Sequence, residues 1–99
     1  MPRYILLLNW TEQGVKNAKD TVKRAKAVAQ SFEKAGAKLV QAYWTLGQHD
    51  LVLIAKAPND ETLTALAIQA GMAGNVRTST LRAFDEGEIE QILRKIPAT

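Results

Sequence analysis

The sequence predicts an α+β domain over residues 1–99, with the element order βαββαβ, a four-stranded antiparallel sheet and a further helix at the C-terminus. Three observations predict it. Short apolar runs suited to strands alternate with amphipathic runs suited to helices. Glycine, proline and asparagine residues separate the two kinds of run. The apolar share of 46% and the charged share of 23% are those of an ordinary globular chain.

The predicted strands are short apolar runs that end at polar or turn-forming residues. They cover residues 3–9, 38–46, 49–57 and 75–84. We expect the second and third strands to form a hairpin with a two-residue turn at Gly47 and Gln48, because glycine in the first position favours a type II′ turn.

The predicted helices have apolar residues at helical spacing and capping residues at their ends. A short turn begins after Thr11, and longer helices cover residues 20–35, 61–70 and 85–95. The apolar stripe of the first long helix consists of Val22, Ala25, Val28, Ala29 and Phe32. We expect Gly36 to end that helix, Asn59 or Asp60 to cap the second and Asp85 to cap the last.

The element order is that of the ferredoxin-like arrangement, whose strands lie in the spatial order 4-1-3-2. Both predicted central strands are apolar on both faces. In the first strand Tyr4, Leu6 and Leu8 point one way, and Ile5 and Leu7 the other. In the third strand Leu51, Leu53 and Ala55 lie on one side, and Val52 and Ile54 on the other. The helices cover only one face of such a sheet, and an exposed face should be polar. We therefore expect a second copy to cover the other face, in a homodimer or larger homo-oligomer. The alternative is that the C-terminal helix covers it.

Several classes of protein are excluded or disfavoured. The absence of cysteine excludes disulfides, cysteine-ligated zinc and thiol catalysis. The single histidine, His49, cannot form a multi-histidine site within one chain, so we expect no metal and no cofactor. No apolar run approaches the roughly 20 residues that span a bilayer. The N-terminus lacks the pattern of a secretory signal, so we expect a cytoplasmic protein without membrane association.

The net charge of +3 is concentrated in the first half of the chain. Most of the positive charge lies on the first long helix and just before it, at Lys16, Lys19, Lys23, Arg24, Lys26 and Lys34. No aromatic residues that could stack on bases alternate with these charges. We interpret them as a solvated helix face and expect no binding of nucleic acid.

Two groups of polar residues are candidates for a site. His49 beside Asp50 suits acid–base chemistry, although both also suit a structural role at a hairpin. Thr78, Thr80 and Arg82 share one face of the fourth strand and could hold a carboxylate or phosphate, or could protect a sheet edge. We expect Trp10, at the end of the first strand, to line the rim of a pocket, and Trp44 to serve in packing.

Four stretches carry a resemblance to a known family. They are YILLLNWT at 4–11, TLGQHDLV at 45–52, APNDE at 57–61 and GNVRTSTLRAF at 74–84. Together they are similar to the GYD domain family over nearly the whole chain. The resemblance implies a ferredoxin-like fold of the dimeric α/β-barrel type, without a settled activity. His49 stands where the family usually has tyrosine.

The second half also resembles, more weakly, the effector-binding domains of leucine-responsive regulators. That resemblance implies small-molecule binding near the hairpin turn and the fourth strand. The residues that we predict to bind a ligand are Trp10, Gly47, His49, Asp50, Thr78, Thr80 and Arg82.

These observations favour an oligomeric, sensor-like module that binds a small molecule without catalysis. No nucleophile–histidine–acid arrangement, phosphate-binding loop or catalytic pair of carboxylates is evident. Two alternatives stay open. One is a small cofactor-independent enzyme resembling the dimeric α/β-barrel monooxygenases or isomerases, with His49, Trp10 or Arg82 lining a cavity. The other is a structural assembly subunit.

Overall fold

The computed structural model describes residues 1–98 and has the predicted order of elements. A single turn of 3₁₀ helix, Ala18–Asp20, precedes the first long helix. The elements are β1 (Arg3–Trp10), α1 (Glu12–Lys16), α2 (Thr21–Lys34), β2 (Lys38–Trp44), β3 (Leu51–Lys56), α3 (Asp60–Met72), β4 (Val76–Ala83) and α4 (Glu86–Leu93).

The four strands form one antiparallel sheet in the order β2-β3-β1-β4. This confirms the predicted spatial order and the ferredoxin-like α+β fold. The central strand β1 pairs along its whole length with β4 and over six residues with β3. At its middle, Leu6 lies between Leu53 of β3 and Thr80 of β4.

The core lies between the sheet and the two long helices. The sheet contributes side chains that alternate along β1 and β3, and α2 and α3 contribute three large side chains. These buried residues are Tyr4, Leu6, Leu8, Leu51, Leu53, Ala55, Phe32, Leu63 and Leu66. The sequence predicts that Tyr4, Leu6 and Leu8 share one side of their strand and Leu51, Leu53 and Ala55 one side of theirs. The pairing of β1 with β3 places both sets on the helix side.

The opposite face of the sheet is apolar at its centre. Ile5 lies beside Ile54 and Leu81, while Leu7 lies beside Val52. We call this surface the open face, consisting of Ile5, Leu7, Tyr43, Val52, Ile54 and Leu81. Its central residues are partly buried by their neighbours, and Tyr43 and Leu81 are exposed. Both central strands are therefore apolar on two sides, as predicted.

The C-terminal helix does not provide the cover that the alternative interpretation required. Its apolar side chains Ile89 and Leu93 are exposed, and α4 makes no extensive contact with any strand of the described chain. An ion pair between Arg82 of β4 and Glu88 in the first turn of α4, 3.2 Å apart, links the two elements. No helix within residues 1–98 has the length and apolar character needed to traverse a bilayer.

The predicted capping residues form local hydrogen bonds. The Thr11 hydroxyl accepts from the Gly14 amide at 3.1 Å, and the Asn59 side chain accepts from the Thr62 amide at 2.8 Å. Asp85 and Glu88 cap α4 reciprocally, each side chain accepting the other residue's backbone N–H. These bonds satisfy amides that a helix start leaves unpaired, which fixes where three of the helices begin.

The predicted two-residue turn between the second and third strands is wrong. Strand β2 ends at Trp44 and β3 begins at Leu51, so the connection is a wider loop. Asp50 explains the difference: its amide donates to Leu8 O at 2.9 Å, and its carbonyl accepts from the Thr45 amide at 2.9 Å. The pairing closes at Thr45 and Asp50, leaving residues 46–49 as the loop, with Gly47 at φ +102°.

Two further predictions need correction. Val22, assigned to the apolar stripe of the first long helix, is 51% exposed, because that helix contacts the core mainly through its C-terminal half. The second long helix also extends beyond its predicted end at residue 70. It includes Gly71, where an added Cβ would meet nothing within 4 Å, and the chain reverses at Gly74 (φ +86°).

A buried tyrosine joins the start of β1 to the start of α3. The Tyr4 ring is almost fully buried, and its hydroxyl donates a hydrogen bond to the Asp60 carboxylate. Burial, strengthened by this bond to a carboxylate, raises the pKa of Tyr4 to about 12. The neutral phenol is therefore the form that the folded chain favours.

We expect this contact to make stability fall above pH 10. Because the folded pKa exceeds the unfolded value of 10, the contribution is complete below pH 10 and is lost as the pH rises towards 12. A shift of this size corresponds to roughly 2–3 kcal/mol. Tyr4→Phe should destabilise the chain by about 1–3 kcal/mol at pH 8. Chemical unfolding should show that the difference in free energy of unfolding between wild type and Tyr4→Phe is smaller at pH 11 than at pH 8. An equal difference at both pH values would contradict the raised pKa of Tyr4.

Candidate functional site

An apolar cavity of about 310 Å³ lies between the long helices and the sheet. Its floor is formed by apolar residues of the central strands, and its walls by α2, by the last turns of α3 and by the start of β4. The residues of the floor and walls include Leu8, Trp10, Leu51, Ala25, Val28, Ala70, Ala73, Val76 and Thr78. Its volume lies near the lower end of the range for small-molecule pockets, about 300–1,000 Å³.

The cavity follows from the sizes of the inward-facing side chains. Phe32 near the end of α2 and Leu63 near the start of α3 are fully buried and fill one end of the space below the helices. At the other end, the inward positions carry Ala25 on α2 and Ala70 on α3, which are much smaller. Close packing is therefore reached at one end of the layer only.

Trp10 lies in the wall of this cavity and carries an unsatisfied polar atom. Its indole Nε1 is buried and has no hydrogen-bond partner within residues 1–98. Trp10 is the last residue of β1 and is paired with Val76. The other tryptophan differs, because Nε1 of Trp44 donates to the Thr21 hydroxyl at 2.9 Å. A buried N–H donor without an acceptor is energetically unfavourable, so the Trp10 indole needs an explanation that the other residues of the cavity do not.

The hairpin loop is fastened to the end of β1 beside Trp10. The Asp50 carboxylate accepts the Trp10 backbone N–H at 2.9 Å. Asn9 donates through Nδ2 to Gln48 O at 2.6 Å, and its Oδ1 lies 2.9 Å from Nδ1 of His49. Because an amide oxygen can only accept, Nδ1 of His49 is the donor in that bond. Asp50 thus positions Trp10, whereas His49 is held at the outer surface of the loop.

The predicted threonines lie on the helix-facing side of β4. Thr78 lines the cavity, and Thr78 and Thr80 also line a more open groove between α3 and β4. Both threonines are opposite buried leucines of β1, with Thr78 paired to Leu8 and Thr80 to Leu6. Only Trp10 and Thr78 of the predicted ligand-binding residues line the cavity, and Gly47 is exposed in the loop.

Arg82 lies at the far end of the sheet. It is paired with Tyr4, six residues before Trp10 on β1, which corresponds to about 20 Å. Its guanidinium lies 4.4 Å from the centre of the Phe84 ring and forms the ion pair with Glu88. It also donates to backbone carbonyls of Arg3 and Ala83. These contacts give Arg82 a structural role at the start of α4.

One charged residue of the cavity wall was missed in the sequence. Arg24 was assigned to the solvated face of the first long helix, but it lines the cavity. Its guanidinium donates to Asn17 O at 2.7 Å and to Gly14 O at 3.4 Å. Gly14 itself packs so closely on Asn75 that an added Cβ would lie 1.9 Å from the Asn75 carbonyl oxygen. The sequence offered one signal, since Arg24 lies next to Ala25 of the apolar stripe.

The arrangement offers little for catalysis. The enzyme alternative places His49, Trp10 or Arg82 in the lining of a cavity, and of these three Trp10 alone lines this one. Within residues 1–98, no three histidine or acidic side chains lie close enough to share a metal ion. The geometry is suited to holding an apolar body against one indole N–H donor.

Comparisons with known proteins agree with this fold. A family model described as the GYD domain matches residues 4–93, a range that contains all four motifs of the resemblance and confirms it. A "glutamine synthetase and cystathionine beta-lyase binding protein" of Thermus thermophilus is 29% identical over 90 residues, which is 90% of this chain and 95% of that protein. A crystal structure of a Thermus thermophilus protein has a TM-score of 0.55 and 22% identity, covering 86% of this chain and 95% of that one.

We expect Asp50 to stabilise the end of β1. Asp50→Ala removes the acceptor of the Trp10 amide and should lower the free energy of unfolding by about 1–3 kcal/mol. Asp50→Asn retains an oxygen acceptor and should lower the free energy of unfolding by less than Asp50→Ala does. His49→Ala is the matched control and should change stability by less than about 1 kcal/mol, because its bond lies at the surface. Urea unfolding followed by tryptophan fluorescence measures all three. Equal stability of Asp50→Ala and wild type would refute this role.

Proposed function

The chain belongs to the GYD domain family, and from that premise we propose that it is a non-catalytic binding module that holds a small, largely apolar molecule in the cavity between α2, α3 and the sheet. The observation that carries this proposal is the cavity itself. It is floored by Leu8, Leu51 and Leu53 and has the size of a small-molecule site. Pockets of this kind are typically apolar with a few polar groups, and Trp10 and Thr78 supply such groups here.

Binding without catalysis fits the composition of the wall. Arg24 is the one charged residue among the described residues that line the cavity, and its donors are directed at two backbone carbonyls. General acid–base or nucleophilic chemistry needs a titratable group or an activated nucleophile beside the substrate. A largely apolar wall with a few polar groups, among them the Trp10 indole and the Thr78 hydroxyl, instead suits recognition. The hairpin residues Gly47, His49 and Asp50 then act as support for Trp10, rather than as direct contacts.

We expect an apolar dye to bind this cavity and a larger side chain to exclude it. N-phenyl-1-naphthylamine should gain fluorescence with the wild-type chain. Ala70→Leu places three more carbons at a lining position of α3 and should weaken binding by about tenfold or more. Ala65→Leu adds the same group at an exposed position of the same helix and should bind the dye as the wild type does.

Circular dichroism and unfolding curves serve as the control, because filling a cavity should leave stability unchanged or increased. A folded Ala70→Leu variant that binds the dye with unchanged affinity would refute the cavity as the site.

A second candidate function is protein binding through the open face. Two observations favour it: Ile5, Leu7, Val52 and Ile54 form an apolar surface, and the similar protein of Thermus thermophilus is named as a binding protein of two enzymes. We propose that a second copy of this chain covers the open face, as in a dimeric α/β-barrel. The assembled form would then be the one that binds an enzyme partner. We propose the cytoplasm as the compartment, as the sequence predicts.

We expect Val52→Lys to disrupt this assembly. A lysine at the centre of the open face would have to be buried without a partner if a second sheet packed there. Sedimentation velocity should show an oligomer for the wild type and a monomer for Val52→Lys. Thr64→Lys on α3, which is exposed on the helix side, should behave as the wild type.

The proposal that the assembled form binds an enzyme is tested by mixing the same samples with glutamine synthetase or cystathionine β-lyase of the same organism. Co-sedimentation of the wild type with either enzyme supports it, and no association with either would exclude these partners. A wild-type chain that sediments as a monomer at micromolar concentration would overturn the dimer.

A further inference from the structure

We propose that the ligand of the cavity is a neutral, largely apolar molecule with a hydrogen-bond acceptor, such as a ketone, ester or amide oxygen, that pairs with Nε1 of Trp10. This inference rests on the proposed small-molecule function and specifies its chemistry. The indole N–H can only donate, so its partner must be an acceptor. No acceptor within residues 1–98 reaches it, although the atom is buried in the wall of the cavity.

Hydrogen bonds hold the main chain at Trp10. Trp10 ends β1, its amide is bound by the Asp50 carboxylate at 2.9 Å, and its neighbour Thr11 donates its amide to Asn75 O at 3.0 Å. The main chain on both sides of the indole is thus anchored to other parts of the fold. Pre-organised donors in apolar surroundings give a site orientation and specificity at little conformational cost.

The other tryptophan shows that the unpaired state is particular to Trp10. Trp44 is 40% exposed, so water could satisfy its indole, yet its Nε1 donates to the Thr21 hydroxyl at 2.9 Å. Thr21 also belongs to the wall of the cavity, and its hydroxyl accepts from Trp44 and not from Trp10. Two indoles of one chain therefore offer a matched comparison, because one donor is satisfied within the protein and the other has no partner within residues 1–98.

The surroundings favour a neutral ligand over an anion. The guanidinium of Arg24 donates to the carbonyls of Asn17 and Gly14, which hold it at the side of the cavity. The floor is formed by leucine side chains of β1 and β3. An anion placed against that floor would lose its hydration without a buried cation to replace it, whereas a carbonyl group loses far less.

Three probes of nearly the same shape test the inference. Ethylbenzene has no acceptor, acetophenone has a neutral carbonyl at the equivalent position, and benzoate carries a charge. Each is titrated into the full-length ¹⁵N-labelled chain, and the two indole N–H resonances are followed by NMR. Trp10→Phe and Trp44→Phe assign the resonances, and Trp44 serves as the internal reference.

We expect acetophenone to move the Trp10 indole proton downfield and to leave that of Trp44 in place. Ethylbenzene should perturb cavity residues such as Val28 without that downfield shift. Trp10→Phe should lose about 2- to 12-fold in affinity for acetophenone, the range of one hydrogen bond, and little for ethylbenzene. Trp44→Phe should lose affinity for neither.

The outcomes separate the two proposals. If acetophenone and ethylbenzene both bind, but the Trp10 indole does not respond and Trp10→Phe weakens both equally, the acceptor is refuted while the cavity stays a binding site. If benzoate binds most tightly, the neutral class is refuted. If none of the probes perturbs any cavity residue at millimolar concentration, both this inference and the proposed small-molecule function fail.

Discussion

The fold depends on a pair of central strands that are apolar on both sides. Between β1 and β3, Leu6 lies opposite Leu53 on the helix face, and Leu7 lies opposite Val52 on the open face. The first set is buried under α2 and α3. The second set has no comparable cover within residues 1–98. Apolar area left in water is unfavourable in proportion to its extent, so the same pairing that builds the core also creates a surface suited to association.

The cavity is a second consequence of how side-chain volume is distributed. A helix layer can close on a sheet only where its inward side chains are large enough to fill the gap. Phe32 and Leu63 do so at one end, whereas Ala25 and Ala70 do not at the other. The open end coincides with the end of β1, where Trp10 is anchored. The cavity and the unpartnered indole of Trp10 thus lie at the same end of the sheet.

The hairpin loop joins His49 and Asp50 to the end of β1, which carries Trp10. Asp50 links the loop to the amide of Trp10, and Asn9 links it to His49 and Gln48. These hydrogen bonds hold the loop against the end of β1, whose last residue, Trp10, lines the cavity. This arrangement gives a structural reason for an aspartate three residues after Gly47, and it separates that role from the ligand contact that the sequence motif predicted for the same residues.

Local patterns in the sequence predict the element order, the helix caps at Thr11 and Asp85, and the two-sided apolar character of the central strands, because they depend on periodicity and short-range hydrogen bonds. The predicted sheet order rests on the likeness of that element order to the ferredoxin-like arrangement. The sequence leaves Asn59 and Asp60 both open as the cap of α3, and the structure selects Asn59. No local pattern shows that the hairpin opens into a loop, that Arg24 lines the cavity, that Arg82 lies far from it or that the Trp10 indole has no partner within residues 1–98. Each of these depends on atoms brought together from distant parts of the chain, such as Leu8 with Asp50 and Gly14 with Asn75. A linear pattern contains no measure of such distances.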